Sequence, residues 1–304
     1  MDQDPRIEIG TTEHGEEIAP HAVLRGDRRP GLPIQTPPLD RRRSPGRGGS
    51  GWPRVSVVIP TLNEARNIGP VLSELPRSVY EVIIVDGRST DGTVEAALAA
   101  RADCRIVHQA GRGKGDALRA GFDAAQGDIV VTIDADGSAD PHEIPVFVGA
   151  LLAGADFTKG SRHLVGGGSA DLTRLRGLGN RGLGVVVNTL FRTRFTDLCY
   201  GYNAFWRDCL PALDLDCDGF EIETLMNIRA VKAGLRVSEV PSFERPRLHG
   251  LSNLNAASDG MRVLKTILRE RRSGRPAVAR PRVHRAESPI ERGHLVEGIE
   301  HSSA

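Results

Sequence analysis

Two aspartates one residue apart, Asp134 and Asp136, are the residues of this chain best suited to chemistry. They follow the apolar run 129–133 directly, and Gly137 comes next. Such a run predicts a buried parallel strand, and parallel sheets bind ligands beyond the carboxyl ends of their strands. Neighbouring carboxylates repel each other unless a cation lies between them, and hard oxygen ligands suit Mg²⁺ or Mn²⁺. The pair therefore predicts a metal site that holds a nucleotide diphosphate. The alternative is a cap for a helix that starts near 139–143.

The elements that must position this pair lie upstream. Strands are predicted at 55–60, 80–86 and 104–107, and a helical pattern follows each of them. Alternating strands and helices ahead of the strand at 129–133 predict an α/β fold with a parallel sheet and right-handed crossovers.

A glycine-rich loop at 111–116 opens the helix that precedes the Asp134 strand. It matches neither the P-loop pattern nor the dinucleotide-binding glycine pattern. Its backbone N–H groups and Lys114 would still lie at a helix N-terminus, which favours an anion. A tight turn without a ligand is the alternative reading.

Composition excludes several classes of protein. The net charge of the 304 residues is +1, so no nucleic-acid partner is indicated. The four cysteines lack C-x-x-C spacing, which favours free thiols in a reducing compartment. No apolar run approaches the roughly 18 residues of a membrane span. We therefore expect a cytoplasmic protein whose membrane contact, if it has one, is peripheral on the inner face.

Composition also divides the chain. Residues 1–53 are rich in Pro, Arg and Gly without periodicity, which predicts a disordered arm. The ordered domain is predicted at 54–255, a basic amphipathic helix at 256–272, and a disordered tail at 273–304.

Seven motifs in order, spread over about 200 residues, resemble those of the family 2 glycosyltransferases with a GT-A fold, in particular the dolichol- or polyprenol-phosphate sugar synthases. The motifs are Val-Val-Ile-Pro-Thr-Leu-Asn-Glu (57–64), Val-Asp-Gly-Arg-Ser-Thr-Asp-Gly-Thr (85–93), Gly-Lys-Gly-Asp-Ala-Leu-Arg-Ala-Gly (113–121), Asp-Ala-Asp-Gly (134–137), Gly-Ser-Arg (160–162), Glu-Val-Pro (239–241) and Arg-Leu-His-Gly-Leu-Ser (247–252). The resemblance implies a Rossmann-like, mostly parallel central sheet flanked by helices.

The resemblance also implies roles for individual residues. Asp134 and Asp136 would hold Mg²⁺ or Mn²⁺ against the diphosphate of a nucleotide-sugar. Arg162 and Arg247 would meet phosphates of donor and acceptor, because a guanidinium can grip phosphate bidentately. The residues implied at the nucleotide are Pro60, Asn63, Glu64 and Asp86, with Lys114 added from its place at the helix start.

Three positions depart from the family pattern. Asp86-Gly87 stands where two acids are common, which affects the expected base contacts. Ser138 stands where related chains often have Gln, and Asn253 replaces the usual Lys of the last motif.

The second half of the chain adds acids and a basic helix. Asp197, Glu221 and Glu223 are candidates for acceptor handling or for a general base; capping, or pairing with arginines, is the alternative. Residues 174–198 mix apolar groups with arginines. This pattern predicts either an amphipathic helix at an anionic membrane interface or an ordinary packed helix.

The resulting hypothesis is an enzyme: a metal-dependent, inverting glycosyltransferase that moves a sugar from a UDP- or GDP-sugar to a polyprenyl or dolichyl phosphate. An acceptor phosphate is already anionic near neutrality and needs no general base, whereas a hydroxyl acceptor needs a carboxylate to take its proton. The alternatives are transfer to a soluble hydroxyl acceptor and a non-catalytic nucleotide-sugar-binding protein. A lipid acceptor requires surface docking or a membrane partner.

Overall fold

The structure is a computed structural model that describes residues 52–250 and 255–273. Within them the chain forms nine strands and eight α-helices. The strands are β1 (Val55–Thr61), β2 (Glu81–Asp86), β3 (Arg105–His108), β4 (Ile129–Thr132), β5 (Phe157–Ser161), β6 (Gly168–Ser169), β7 (Asn203–Trp206), β8 (Val237–Pro241) and β9 (Phe243–Glu244). The helices are α1 (Ala65–Glu74), α2 (Thr93–Ala100), α3 (Lys114–Ala124), α4 (Ile144–Leu152), α5 (Arg174–Phe191), α6 (Leu210–Leu213), α7 (Ile222–Lys232) and α8 (Ala256–Arg272).

Seven strands make one sheet in the order β3-β2-β1-β4-β7-β5-β8. The pairs β1–β2, β1–β4, β2–β3 and β5–β8 are parallel, and only β7 runs antiparallel to its neighbours. The predicted α/β fold with a mostly parallel sheet flanked by helices is confirmed. Strand β7 was not predicted, because its four residues carry no apolar run long enough to indicate a strand.

The central strands are buried on both faces, as expected for parallel strands between helical layers. Val57, Ile59 and Val131 pack against α1, α2 and α4 on one face. Val58 and Val130 pack with residues of α3, α6 and α7 on the other. A smaller apolar cluster joins α5, α7 and α8.

A separate two-stranded sheet pairs β6 with β9, so that Gly168 lies opposite Phe243. The glycine run 166–168 is typical of a mobile loop, and the structure instead places the last of these glycines in a strand. The aromatic ring of Phe243 occupies the space that a β-carbon on Gly168 would need.

The two ends of the chain lie almost wholly outside the described residues. This applies to the predicted arm (1–53) and to the predicted tail (273–304), and Asn253 falls in the gap at 251–254. Of the residues that are described, none forms a helix with the length and apolar character needed to cross a membrane.

Candidate active site

The carboxyl ends of β1, β2 and β4 lie at one edge of the sheet and carry the predicted acids. Asp86 ends β2, and Asp134 and Asp136 follow β4 within four residues. Gly137 has φ +78° and turns the chain back, so the amide of Ser138 donates 2.9 Å to Asp136 Oδ1. The turn keeps both carboxylates at this edge, as the sequence pattern requires.

Lys114 connects the first aspartate to helix α7. Its Nζ lies 2.6 Å from Asp134 Oδ1 and 2.5 Å from Glu223 Oε1. Burial alone would lower the pKa of Lys114, but the two carboxylates outweigh it and raise that pKa above its ordinary value. Burial raises the pKa of Glu223, and the ammonium of Lys114 opposes this. The lysine is therefore a fixed cation of the site.

Gly201 lies directly beside the charged trio of Lys114, Asp134 and Glu223. A β-carbon at Gly201 would lie 2.5 Å from Glu223 Oε1, 2.8 Å from Lys114 Nζ and 3.2 Å from Asp134 Oδ2. Any side chain there would displace the charged groups, so the absence of a β-carbon at 201 shapes the site directly.

The glycines around Lys114 serve close packing. The Gly115 amide donates 2.7 Å to the Asp218 carbonyl, and β-carbons at Gly113 and Gly115 would collide with the backbone of Cys217 and Asp218. The Gly115 N–H is therefore engaged within the protein and does not point to a ligand. The loop contributes the Lys114 side chain to the site.

Arg247 connects the second aspartate to the start of α1. One of its nitrogens lies 2.7 Å from Asp136 Oδ2 and another lies 3.0 Å from Glu64 Oε1. The amide of Leu248 also donates 3.1 Å to the Asp136 carbonyl. Segment 245–248 is therefore fastened along the acid pair, although it is more than 100 residues away in sequence.

The predicted nucleoside-side residues lie at the same edge. Buried Asp86 accepts hydrogen bonds from the amides of Arg88 (3.0 Å) and Ser89 (3.2 Å). Asn63 has φ +57° and accepts from the Thr90 amide at 2.9 Å, and Pro60 lies near the end of β1. The side chains of Asn63 and Asp86 thus shape the loop that would face a nucleoside.

Arg162 belongs to a second, buried cluster. Its guanidinium donates to Asp197 at 2.7 and 3.0 Å and to Glu244 at 3.0 Å, and it lies 4.8 Å from the Tyr200 ring centroid. Asn180 donates a further bond to Asp197 at 2.8 Å.

These contacts decide what Asp197 can do. Burial would raise the pKa of Asp197, but the hydrogen bonds and charge of Arg162 together with the charge of Lys159 lower it well below its ordinary value. A fully buried carboxylate with a lowered pKa is a poor proton acceptor. The geometry thus gives Asp197 the task of holding Arg162, which is the ion-pair alternative left open by the sequence.

Glu221 precedes α7 and does not join either cluster. Its Oε1 accepts from the Gly219 amide at 3.3 Å. Its buried Oε2 has no hydrogen-bond partner among the residues that the structure describes.

Sequence reasoning missed Gly201, Asn180, Tyr200, Glu244 and Lys159. The Lys159 side chain is fully buried, and within the described residues its hydrogen bond goes to the carbonyl of Gly160, at 3.1 Å. Desolvation lowers the pKa of Lys159, although Asp197, Glu239 and Glu223 oppose this. The available signal was a lone lysine in an otherwise uncharged strand, Phe157–Ser161.

The donor set at the acid pair fits a divalent cation. Asp134 and Asp136 present hard oxygen ligands at an accessible edge, and Mg²⁺ typically takes one or two carboxylates and completes its shell with water and phosphate. A different group, Glu74, Asp140 and His142, brings its ligand atoms within 4.8 Å of one another. Arg245 pairs with Glu74 (2.8 Å) and Asp140 (2.5 Å), so this group is an ion cluster in the structure, as the acid pair with Lys114 and Arg247 also is.

Comparisons with known proteins show the family to which the chain belongs. The model of the family described as "Glycosyl transferase family 2" matches residues 56–210. The chain is 33% identical to the glycosyltransferase AglJ of Haloferax volcanii over 230 residues, which is 73% of each chain. It is 32% identical to the undecaprenyl-phosphate mannosyltransferase of Micrococcus luteus over 223 residues, 69% of this chain and 91% of that relative.

A solved structure is similar as well. Glucosyl-3-phosphoglycerate synthase of Mycobacterium tuberculosis, in complex with Mn²⁺, UDP-glucose and phosphoglyceric acid, aligns with a TM-score of 0.60 at 27% identity. The alignment covers 72% of this chain and 80% of that one.

Proposed function

Because the chain belongs to glycosyl transferase family 2 and is a glycosyltransferase, we propose that it transfers a sugar from a UDP- or GDP-sugar to a polyprenyl or dolichyl phosphate, with inversion. The observation that carries the proposal is the acid pair after β4, flanked by Lys114 and Arg247. Two carboxylates and two fixed cations at one sheet edge match the charges of a metal and a diphosphate.

The donor would bind along the edge formed by β1, β2 and β4. Pro60, Asn63 and Asp86 would face the nucleoside, and Asp134 with Asp136 would hold Mg²⁺ or Mn²⁺. The cation would supply positive charge against the leaving diphosphate. Lys114 and Arg247 would add fixed positive charge as the bond to the anomeric carbon breaks.

The acceptor is proposed to be a phosphate monoester on a lipid. Its second pKa of about 6 leaves it dianionic near neutrality, so it can attack without a general base. The relative from Micrococcus luteus carries undecaprenyl phosphate in its name, which supports this class of acceptor. Arg162 would meet the acceptor phosphate only if it exchanged its contact with Glu244, because its guanidinium is engaged on both sides.

A lipid acceptor requires contact with a membrane surface, and α5 offers a suitable face. Leu175, Leu178 and Val185 are 73%, 70% and 60% exposed, and the exposed Arg174 and Arg181 lie on the same helix. Apolar side chains flanked by arginines complement an anionic lipid surface. We propose that α5 docks the protein peripherally, on the inner face of the membrane.

Vesicle flotation tests this docking. The variant Leu178→Asp is expected to lose most binding to vesicles that contain phosphatidylglycerol. Val146→Asp, which adds the same single charge at a half-exposed residue of α4, is expected to retain it. Equal flotation of both variants would exclude α5 as the docking surface.

A soluble hydroxyl acceptor is the second candidate, supported by the structural neighbour whose complex contains phosphoglyceric acid. The chain would then need a base. Among the three predicted acids, Glu223 suits this role best, because its pKa is raised and it lies beside Asp134 through Lys114. Full activity in Glu223→Gln would exclude this mechanism.

The test of the proposed function is transfer of labelled sugar from UDP- and GDP-sugars, with and without a short polyprenyl phosphate. Acceptor-dependent transfer that requires Mg²⁺ or Mn²⁺ and is lost in Asp136→Asn is expected. Transfer that ignores the lipid phosphate would move the acceptor to a soluble molecule. Nucleotide binding without turnover on any acceptor would indicate a non-catalytic binding protein.

A further inference from the structure

Each acid of the Asp134/Asp136 pair already contacts a cation of the protein, and each of these cations is shared with a glutamate outside the pair. Lys114 lies between Asp134 and Glu223, at 2.6 and 2.5 Å. Arg247 lies between Asp136 and Glu64, at 2.7 and 3.0 Å. In both arrangements a cation of the protein lies between an aspartate of the pair and a glutamate outside it.

Glu223 and Glu64 hold the side chains of Lys114 and Arg247 in position beside the aspartates. The side chains of Glu223 and Glu64 are 7% and 12% exposed, and those of Lys114 and Arg247 are 11% and 17% exposed. Phe220 lies over Lys114 at 5.8 Å, and segment 245–248 is fastened by the Leu248 amide. A ligand that binds the aspartates therefore meets two positive charges held in place.

This arrangement affects the binding of a free metal ion and of a metal–diphosphate complex in opposite directions. A free divalent cation at Asp134 and Asp136 would lie beside two fixed like charges and would compete with them for carboxylate oxygens, which is unfavourable. A diphosphate brings anionic oxygens that both Lys114 and Arg247 can contact, so the same cations then favour binding.

We propose that Lys114 and Arg247 make the acid pair selective for a metal–nucleoside diphosphate complex over the free metal ion. This inference rests on the proposed function, since it takes a metal and a nucleotide as the ligands. It assigns the two cations a specificity role: they disfavour free metal, and they contact the diphosphate when it arrives with the metal.

Free-Mn²⁺ electron paramagnetic resonance on the full chain, with the protein-free binding of Mn²⁺ to the nucleotide subtracted, measures both affinities without any turnover. Mn²⁺ is titrated alone, and again with saturating UDP or GDP, whichever the wild type binds. The wild type is expected to bind Mn²⁺ alone at least about tenfold more weakly than with nucleotide. Arg247→Gln is expected to bind Mn²⁺ alone about tenfold more tightly than the wild type, and Mn²⁺ with nucleotide more weakly.

The matched control is Arg54→Gln. Arg54 precedes β1, at the opposite end of that strand from the site, and pairs with Asp128 at 3.2 Å. Its loss removes the same charge without freeing Asp136, so both affinities are expected to stay at the wild-type level. Lys114→Met provides a second variant with the same expected direction as Arg247→Gln, should either one fail to fold by circular dichroism.

The outcomes separate the two proposals. Wild-type protein that binds neither UDP nor GDP with Mn²⁺ would overturn the proposed function. Normal nucleotide-dependent Mn²⁺ binding, combined with unchanged or weaker affinity for free Mn²⁺ in the folded Arg247→Gln and Lys114→Met variants, would overturn the selectivity inference alone. A gain in Arg54→Gln equal to that in Arg247→Gln would also overturn it, because general charge would then explain the effect.

Discussion

At the scale of single residues, Gly201 has the sharpest consequence. Its φ is not in the left-handed region, so an alanine can adopt the same backbone conformation. The added methyl group would instead collide with three charged atoms, those of Glu223, Lys114 and Asp134. The effect of the substitution is therefore confined to the site.

We predict that Gly201→Ala lowers kcat/KM by about 100-fold or more, which corresponds to about 2.7 kcal/mol of transition-state stabilisation. Its thermal unfolding is expected to change little. The control is Gly149→Ala, where nothing lies within 4 Å of the added carbon and helix α4 gains about 0.5–1 kcal/mol. Steady-state kinetics and thermal denaturation check both variants. Wild-type kinetics in Gly201→Ala would contradict the inference that Glu223, Lys114 and Asp134 must keep their positions for activity.

The buried Lys159 gives a prediction about pH. Burial lowers its pKa below the ordinary 10.5, so the unfolded chain binds more protons than the folded chain between the two values. The wild-type free energy of unfolding therefore rises with pH in this window, and that of Lys159→Met lacks this rise. Urea unfolding from pH 7 to 10 should show the wild type gaining stability relative to the variant. A constant difference would mean that the folded pKa is not lowered.

At the scale of elements, segment 245–248 depends on Gly137. A β-carbon there would lie 2.6 Å from a Leu248 side-chain carbon, and φ is +78°. The Arg245 amide donates 2.7 Å to the Ser138 carbonyl across the same turn. The turn after the acid pair and the segment that carries Arg247 are thus built against each other.

We predict that Gly137→Ala costs about 1–3 kcal/mol of stability and weakens metal–nucleotide binding. The double variant Gly137→Ala/Leu248→Ala removes the collision but keeps the strained backbone, so it is expected to recover part of the binding. Calorimetric titration measures this recovery; no recovery at all would show that backbone strain alone is responsible.

Helix α8 is held to α7 by a buried ion cluster. Glu270 is 2% exposed and accepts from Arg229 and Lys232, each at 2.9 Å. We predict that Glu270→Ala costs about 1–3 kcal/mol, because the buried Arg229 loses one of its two carboxylate partners and keeps Asp216. Lys265→Ala, at an exposed position of the same helix, is expected to stay within about 0.5 kcal/mol. Urea denaturation distinguishes them, and equal stabilities would argue against the buried cluster.

At the scale of the whole molecule, the sequence predicted the fold well where one strand and one helix alternate. The apolar strands β1, β2 and β4 are buried on both faces, so their composition is distinctive. The insertion of the antiparallel β7 between β4 and β5 could not be predicted, since it depends on pairing between distant segments.

The same limit applies to the site. The acid pair follows from residue types and spacing, but its partners do not: Lys114 and Glu223 are 109 positions apart, and Glu64 and Arg247 are 183 apart. Composition gives no preference among the chain's many arginines for a given carboxylate. Only the three-dimensional structure reveals that Arg162 pairs with Asp197 and Arg247 with Asp136.

The most direct measurement is a crystal structure of the full chain with Mn²⁺ and the nucleoside diphosphate that it binds, with an anomalous map recorded for manganese. We predict a manganese peak at bonding distance from a carboxylate oxygen of Asp134 or Asp136, with Lys114 and Arg247 in contact with the diphosphate. Manganese at Glu74, Asp140 and His142 instead, with the acid pair still bound to Lys114 and Arg247, would contradict it.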